Sequence, residues 1–319
     1  MPIDVSIIMP VFKNAGSLAR SLDSILAQDF EGTYEVILSA DDGGDGTLEI
    51  CRDYASRYPD KIILHHPDHR MGLSLARAEA FELVRGEYIY ACDADDELRP
   101  DALRVLVDTI RKYDADLVNC SFYTANGSKE KARADVFVRP THAMNQSQAM
   151  SALMMDASFR AFLWSKLFKA SLLKQCPRVA IQDNHVMFED LAFVSSLLVH
   201  CKKVVAIPTH LYYYYKDNPD SAASVARKDR AHWHVAIFAA VRVLLDEVGD
   251  PALLQTFRKK KWRAKLSVRF DLSIDKKNGL TKAEAKEALN VLKTVFAKEK
   301  LDPKHPYFAD MIRGSLITK

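Results

Sequence analysis

The sequence lacks a hydrophobic run long enough to cross a membrane. A transmembrane helix needs ~20 consecutive apolar residues, whereas the run at 235–248 is shorter and is interrupted by Arg242. The apolar stretch near the N-terminus is also short and ends at Pro10 and Lys13, unlike a signal peptide. We therefore expect a cytoplasmic protein without a transmembrane helix.

The cysteines lack the pairing that a disulfide framework or a zinc site requires. Their number is odd, they are widely scattered, and no two are separated by only two residues. This pattern is typical of reduced, mostly buried thiols in a cytosolic protein. The five positions are Cys51, Cys92, Cys120, Cys176 and Cys201.

The chain also lacks a strong charge imbalance, since the formal net charge is only +3. We expect no nucleic-acid partner. Basic residues are concentrated at 257–265, which leaves two interpretations open. The run is either a solvated helix face or a peripheral contact with an anionic surface at the inner face of the membrane.

What the first 125 residues do contain is a regular alternation of apolar segments and helical patterns. Continuous apolar strands separated by amphipathic helices predict an α/β fold with a parallel sheet covered on both faces. In such sheets ligands bind outside the carboxyl ends of the strands. The predicted strands are 4–12, 34–40, 61–66 and 88–92, and the predicted helices are 15–28, 47–58, 72–84 and 100–113.

The turn after the first strand lacks a glycine-rich phosphate loop. A dinucleotide-binding dehydrogenase needs Gly-x-Gly-x-x-Gly there, and a nucleotidylyltransferase needs a glycine-rich loop with a lysine. The sequence has Pro-Val-Phe-Lys-Asn-Ala-Gly instead. Both classes are therefore disfavoured.

The pattern changes after about residue 125. We predict a polar loop at 124–135, a short strand at 136–140, helices at 147–156, 162–175 and 187–200, and a strand pair at 203–208 and 211–216. The sequence from residue 226 onward has a helical and basic pattern. We divide the chain into a domain at 1–225, with halves 1–122 and 123–225, and a helical C-terminal appendage at 226–319, which we expect to support acceptor binding, a homodimer or membrane contact.

Three carboxylates follow the fourth predicted strand. Asp93, Asp95 and Asp96 repel one another unless a cation or a solvated loop accommodates them. Two aspartates separated by one residue offer hard oxygen ligands that suit Mg²⁺ or Mn²⁺. The alternative is an acidic turn before the helix at Pro100, but the polar ends of the neighbouring strands favour a nucleotide cleft.

Several segments together resemble family 2 glycosyltransferases of the GT-A fold. Residues 6–30, 34–47, 72–89 and 92–103 occur in the family's order and strand context, and 163–173, 188–193 and 211–225 are similar to acceptor-side segments of its bacterial polysaccharide and lipopolysaccharide branch. The resemblance implies a Rossmann-like mixed sheet with helices on both faces.

The implied reaction is inverting transfer of a hexosyl or N-acetylhexosaminyl group from a nucleotide-diphosphate sugar. A UDP-sugar is the expected donor, and a hydroxyl of a glycan or lipid-linked molecule is the expected acceptor, as in surface polysaccharide biosynthesis. The alternative is a non-catalytic module that binds nucleotide sugars.

The resemblance assigns the nucleotide to residues at the strand ends. Phe12, two residues after Pro10, matches the aromatic that stacks on the base. Asp41 matches the carboxylate that pairs with the uracil edge, with Asp42 beside it. Arg77 matches a basic residue that holds a phosphate or the metal-motif carboxylates. A core Phe, an Asp/Gly turn and an exposed arginine are the respective alternatives.

The metal roles follow from the same resemblance. Asp95 is expected to bind Mn²⁺ or Mg²⁺ directly, and Asp93 to lie near the ribose and a metal-bound water. Asp96 is expected to orient its neighbours or cap a helix. His210 is the candidate that would complete the metal shell.

The remaining roles lie in the acceptor half. By resemblance Asp190 is the general base and Glu189 its neighbour, although one of them could merely favour a helix N-terminus. Trp164 and Lys166 match positions that contact the acceptor or the donor sugar. For Trp164 a place in the core is the alternative.

Overall fold

The computed structural model describes residues 2–135, 140–155, 159–176, 189–216 and 249–252. Within these ranges the chain forms one ten-stranded sheet with helices on both faces. The strands are β1 (Val5–Val11), β2 (Tyr34–Ala40), β3 (Ile62–His65), β4 (Tyr88–Ala91), β5 (Glu97–Leu98), β6 (Leu117–Asn126), β7 (Ser128–Ala134), β8 (His142–Met144), β9 (Lys166–Lys169) and β10 (Val204–Tyr215). The helices are α1 (Leu18–Leu26), α2 (Thr47–Arg57), α3 (Gly72–Glu82), α4 (Ala102–Tyr113), α5 (Gln146–Met155) and α6 (Glu189–His200).

The first half of the sheet is parallel, in the order β3-β2-β1-β4. Every residue of β1 and β2 is buried, which is why these strands read as continuous apolar runs rather than as alternating patterns. The four predicted strands and the four helices that follow them are confirmed. This arrangement brings the carboxyl ends of β1, β2 and β4 to one edge of the sheet.

The second half extends the sheet in mixed directions. β9 is antiparallel to both β4 and β6, and β10 is parallel to β6. β4, β6 and β10 therefore run in the same direction, and their carboxyl ends share the edge at which β1 and β2 end. The predicted mixed sheet is confirmed.

The two faces of the sheet carry separate hydrophobic cores. Helices α1, α2 and α4 pack on one face, where Trp164 and Tyr212 are also buried. Helices α3, α5 and α6 pack on the other. None of the helices that the structure describes is long and apolar enough to span a membrane.

Three predictions about the second half were wrong: a loop, a helix and a pair of separate strands. The predicted loop at 124–135 is the hairpin of β6 and β7, whose mostly exposed second strand is polar and therefore resembles a loop. The predicted helix at 162–175 is two short 3₁₀ turns around β9. Leu167 and Phe168 of β9 are both fully buried, in opposite cores, so both faces of the strand are covered.

The predicted strand pair at 203–208 and 211–216 is one long strand, β10. Its register against β6 shifts between Ala206 and His210 and again between His210 and Tyr212. Pro208, which has no N–H to donate, lies within the first irregularity. The helices predicted at 147–156 and 187–200 are found as α5 and α6.

Two predictions fall almost wholly outside the described residues. They are the strand at 136–140, of which only Pro140 is described, and the helical appendage at 226–319, of which only 249–252 are described. The basic run at 257–265 lies outside them as well. The division into domains stays a prediction.

Candidate active site

Arg77 joins two carboxylates from distant parts of the chain. Its Nη2 donates to Asp93 Oδ1 at 3.1 Å and its Nη1 to Asp190 Oδ1 at 2.8 Å. The guanidinium is largely buried, with a side-chain exposure of 7%, so these pairs are screened less than surface pairs. Asp190 Oδ2 also accepts the backbone N–H of Leu163 at 3.1 Å. The structure thus brings together Arg77, Asp93 and Asp190. Contact of Arg77 with a metal-motif carboxylate is one of the two roles that the resemblance implied, whereas its contact with Asp190 was not anticipated.

Asp93 begins the loop after β4, beside the residue predicted to bind metal. Burial raises the pKa of the Asp93 carboxyl to about 6; the Arg77 charge opposes the shift, and the charges of Asp95 and Asp190 add to it. Asp95 is partly exposed, and its carbonyl oxygen accepts Arg20 Nη2 at 2.6 Å. Both carboxylates can therefore meet a ligand at this edge of the sheet.

Asp96 and Glu97 are buried beneath that loop and bond to β10. Asp96 accepts the Tyr212 hydroxyl at 2.7 Å and the Tyr215 backbone N–H at 2.8 Å, while Glu97 accepts the Tyr215 hydroxyl at 2.6 Å. Burial and the charges of Asp95 and Asp93 raise the pKa of Asp96 well above its ordinary value. Asp96 therefore bonds to strand β10, and neither of these contacts lies at a helix N-terminus.

Tyr212 is a positioning residue that sequence reasoning missed. Besides donating to Asp96, its hydroxyl oxygen accepts the backbone N–H of Asp93 at 3.2 Å. One side chain thus fixes both Asp93 and Asp96 of the loop at 93–96, called the acidic loop below. The only sequence signal was the aromatic run at 212–215, which does not reveal which ring points inward.

Phe12 is suitably placed to stack on a flat ligand. It lies just past β1 with 37% of its surface exposed, and Arg70 and Lys13 approach its ring at 4.8 and 5.6 Å. Two cations beside an exposed ring suit an aromatic group that carries phosphates. Pro10 is buried inside β1, opposite Ser39 of β2, so it positions Phe12 rather than presenting a contact surface.

Asp41 makes contacts that the sequence did not anticipate. Its two oxygens accept the backbone N–H groups of Met71 and Gly72 at 2.8 and 2.7 Å, where α3 begins. Gly72 has a φ of 66°, which glycine adopts without strain. Asp41 is only 4% exposed and caps the helix that carries Arg77. The neighbouring Asp42 is exposed and accepts Gly44 N–H.

Lys166 is buried completely and does not present its ammonium group to the cleft. Its Nζ donates to the carbonyl oxygens of Arg160 and Phe162, both at 2.6 Å, and to Asn119 Oδ1 at 3.0 Å. Burial lowers the pKa of Lys166 to about 7, although the negative charge of Asp190 opposes this shift. These contacts fix the 160–165 turn, whose Leu163 N–H holds Asp190.

Trp164 is part of the core, the alternative that the sequence left open. It is 3% exposed, and its ring stacks on those of Phe162, Tyr212 and Tyr214 at centroid distances of 4.8, 4.5 and 5.4 Å. The burial of Trp164 and Lys166 favours supporting roles over direct sugar contacts.

His210 is held by residues outside the acidic loop. Its Nε2 bonds to the Asp135 carbonyl oxygen at 2.7 Å and its ring packs on Tyr123. These contacts, made from an irregular part of β10, do not bring it to Asp93 or Asp95. Glu189 is the first residue of α6, next to Asp190.

The acidic loop fits a divalent cation when a ligand supplies further oxygens. Among the described residues no group of three or more His, Cys, Asp or Glu side chains gathers around a common point. Mg²⁺ and Mn²⁺, however, are commonly bound by one or two carboxylates together with substrate phosphates. Asp93 and Asp95, both partly exposed at one strand end, match that donor set.

A comparison with protein families identifies the family of this chain. The model for glycosyl transferase family 2 matches residues 6–170, which is half of the chain and includes β1 through β9. The chain belongs to glycosyl transferase family 2. The family resemblance seen in the sequence is confirmed, and Asp93 and Asp95 lie within the matched region.

Similar proteins are bacterial glycosyltransferases. Over 230 residues the chain is 26% identical to the cholesterol galactosyltransferase of Borreliella burgdorferi, covering 70% of this chain and 63% of that protein. Over 223 residues it is 25% identical to the poly(ribitol-phosphate) beta-glucosyltransferase of Bacillus spizizenii, covering 70% of this chain but only 34% of that protein. The chain thus spans less than two thirds of either relative.

Solved structures of glycosyltransferases share the fold. S. aureus TarS 1–349 in complex with UDP-GlcNAc matches with a TM-score of 0.65 at 15% identity, covering 93% of each chain. The mannosyltransferase PcManGT from Pyrobaculum calidifontis, in complex with GDP-Man and Mn²⁺, matches with a TM-score of 0.53 at 17% identity, covering 94% of this chain and 88% of that one. The GT-A fold of this family 2 member is therefore confirmed.

Proposed function

We propose that this family 2 protein is an inverting glycosyltransferase. It moves a hexosyl or N-acetylhexosaminyl group from a nucleotide-diphosphate sugar, with UDP as the expected nucleotide, to a hydroxyl of a glycan or lipid-linked acceptor. The observation that carries the proposal is the bridge from Asp93 through Arg77 to Asp190. It places a carboxylate from the acceptor half beside the loop that suits a nucleotide diphosphate.

The nucleotide is proposed to lie across the carboxyl ends of β1, β2 and β4. Phe12 stacks on the base, which contributes ~1–3 kcal/mol, and Arg70 and Lys13 beside that ring add positive charge. Asp93 lies toward the ribose. Asp41, which holds the start of α3, is proposed to pair with the edge of the base, with Asp42 beside it.

Asp190 is proposed as the general base, with Glu189 as its neighbour. Arg77 and the Leu163 N–H hold the Asp190 carboxylate from two directions, which restricts the group to one orientation. A positioned base that accepts the acceptor's hydroxyl proton raises the rate by ~10²–10⁴-fold. A carboxylate that takes the acceptor's proton, so that the acceptor oxygen attacks the anomeric carbon directly, fits inversion at that carbon.

Asp95, assisted by Asp93, would hold Mn²⁺ or Mg²⁺. Such a cation neutralises the negative charge that develops on the departing nucleotide diphosphate. The protein's own contribution is the fixed loop, because Tyr212 and the buried Asp96 prevent Asp93 from turning away. The TarS complex with UDP-GlcNAc and the mannosyltransferase complex with GDP-Man and Mn²⁺ support a donor of this class.

A donor screen tests the proposal. Purified protein is mixed with Mn²⁺ and each of a panel of UDP-, GDP- and dTDP-sugars, and the unfolding temperature is measured. A ligand present at 100 times its Kd stabilises the folded state by ~2.7 kcal/mol, so the true donor should raise the temperature clearly. Release of the nucleoside diphosphate is then followed, with EDTA as the control.

Each outcome is informative. Stabilisation by one donor, with release that EDTA abolishes, supports the enzyme. Tight UDP binding without turnover of any donor would favour the non-catalytic binding module instead. Absence of both binding and turnover would overturn the proposal.

A further inference from the structure

A cavity of about 590 Å³ lies at the carboxyl ends of β6 and β10, the edge of the sheet at which β4 also ends. Lys131, Arg133 and Lys216 line it together with a single carboxylate, Asp135. Asp135 Oδ2 also lies 3.9 Å from Arg160 Nη1. The cavity therefore contains an excess of positive charge.

The three cationic groups are available to a ligand. All three residues are exposed, and within the part of the chain that the structure describes none of them forms an ion pair with an Asp or Glu side chain. By contrast Lys129, on the same hairpin, is paired with Glu97. Three unpaired cations around one cavity repel one another unless an anion or solvent lies between them.

The cavity is linked through strand pairing to an aromatic cluster formed by Trp164, Tyr212 and Tyr214. Thr124, which lines the cavity, is in register with Tyr214 on β10 and with Arg133 on β7. Side chains of paired residues lie on the same face of a sheet. Lys216 Nζ is 5.9 Å from the Tyr214 ring, and that ring stacks on Trp164.

The negative charges of the acidic loop also act on Tyr214, a member of this cluster. Burial raises the pKa of Tyr214 to about 12, and the negative charges of Asp96, Asp93 and Asp95 contribute to the shift. Tyr212 of β10, which touches that loop, and Lys216, the residue after the strand, are four residues apart. At a rise of ~3.3 Å per residue their Cα atoms are separated by about 13 Å along the strand.

We propose that this cavity binds phosphate groups of an anionic acceptor and so presents a neighbouring hydroxyl of that acceptor to Asp190. The ligand class is a polymer or conjugate whose units carry phosphates, such as a polyol phosphate. Arg133 offers a planar fork that suits phosphate oxygens, and the two lysines offer compact point charges. The proposal rests on the glycosyltransferase function proposed above and names the class of its acceptor.

The test is a binding measurement that needs no turnover. A dye-labelled polyglycerol-phosphate oligomer and a neutral maltooligosaccharide of similar length are titrated with protein, and fluorescence anisotropy is recorded in 50 mM NaCl. The variant is Lys131→Gln/Arg133→Gln/Lys216→Gln. The matched control, Arg52→Gln/Lys112→Gln/Lys174→Gln, removes three exposed charges that lie elsewhere.

We expect the wild type to bind the phosphate oligomer and not the neutral one. The cavity variant should bind the oligomer about tenfold or more weakly, since an exposed ion pair contributes a factor of roughly two to five. Higher salt should weaken the wild-type interaction as well. The control variant should change affinity by less than about twofold, and UDP binding should be unchanged in both variants.

Three results would overturn the proposal. They are equal binding of the oligomer by the wild type and the cavity variant, equal losses in the cavity and control variants, and no oligomer binding by a wild type that binds UDP.

Co-sedimentation with phosphatidylglycerol vesicles, compared with phosphatidylcholine vesicles, distinguishes a second phosphate source. Vesicle binding that the cavity variant loses, without oligomer binding, would assign the cavity to a membrane surface instead. If the wild type binds no UDP or turns over no donor, the result counts against the proposed function and not against the cavity.

Discussion

The two halves of the molecule that meet at Arg77 hold their carboxylates in different ways. Asp93 lies two residues beyond the end of a buried parallel strand, so the register of β4 against β1 fixes where it emerges. Asp190 begins a helix, and its position depends on the 160–165 turn that Lys166 holds through buried hydrogen bonds. The first carboxylate is placed by the sheet, and the second by a network of side chains.

This difference predicts which changes affect chemistry alone and which also affect folding. At the strand ends, partly exposed side chains can be removed without opening a cavity in the core. Around Lys166 the hydrogen bonds are buried or partly buried, and removal of one partner leaves another unsatisfied at a cost of ~1–3 kcal/mol. Variants from the two halves can therefore be compared to test whether activity changes alone or together with stability.

Asp95→Ala should produce the largest effect. If Asp95 holds the cation that stabilises the leaving diphosphate, its loss removes several kcal/mol of transition-state stabilisation, and Mn²⁺-dependent donor turnover should fall by at least ~10³-fold. The unfolding temperature should be almost unchanged, because the side chain is partly exposed. Asp53→Ala, which removes an exposed carboxylate paired with Arg57 on α2, is the control. Full activity of Asp95→Ala would remove the metal from the proposal.

Asp190→Asn should give the next largest effect. We expect kcat to fall by ~10²–10⁴-fold, as for the loss of a general base, while UDP binding measured by calorimetry stays within about twofold. The asparagine keeps the size of the side chain and can still accept from Arg77. A normal kcat together with weakened UDP binding would mean that Asp190 only positions Arg77 and Asp93.

The same difference explains how much could be predicted from the sequence. The alternation in the first half predicted β1 to β4 and α1 to α4, since each segment has one dominant periodicity and short connections. The end of β4 also indicated where the Asp93 and Asp95 carboxylates would emerge, whereas the roles of Phe12 and Arg77 were assigned by family resemblance. Asp190 was assigned by family resemblance, and its contact with Arg77 joins residues 113 positions apart, which no local pattern encodes.

Errors in the second half share a physical cause. Residues 166–169 form a strand that is inserted antiparallel between β4 and β6 and is buried on both faces, so the sequence carries no polar alternation to distinguish strand from helix. The burial of Lys166 was missed for a related reason. Its four oxygen partners come from four different residues, two of which contribute backbone carbonyls.

Phe12→Leu tests the nucleotide side with a smaller expected effect. Loss of a stacked ring should weaken UDP binding by ~1–3 kcal/mol, or about 5- to 150-fold in Kd, while folding is maintained because Phe12 is 37% exposed. Phe12→Tyr should retain most of the affinity. Calorimetry with UDP checks both variants, and equal affinity of Phe12→Leu and wild type would place the base elsewhere.

Lys166 should give the smallest effect, seen as a pH dependence of stability. Burial lowers its pKa from 10.5 to about 7 in the folded protein, so between these values the unfolded chain keeps a proton that the folded protein has released. Stability should therefore rise with pH in this window, by about 1 kcal/mol between pH 7 and 8.

Lys166→Met has no group to titrate at this position and should lack that increment. Urea unfolding of the two proteins at pH 7 and pH 8 measures the difference in slope, and Lys174→Met, an exposed lysine, serves as the control that should follow the wild type. If the stability of wild type and Lys166→Met changed in parallel with pH, the ammonium group would be equally protonated in both states. In that case the acceptors around Nζ, rather than burial, would decide its charge, and the 160–165 turn would be held by a permanent cation throughout this pH range.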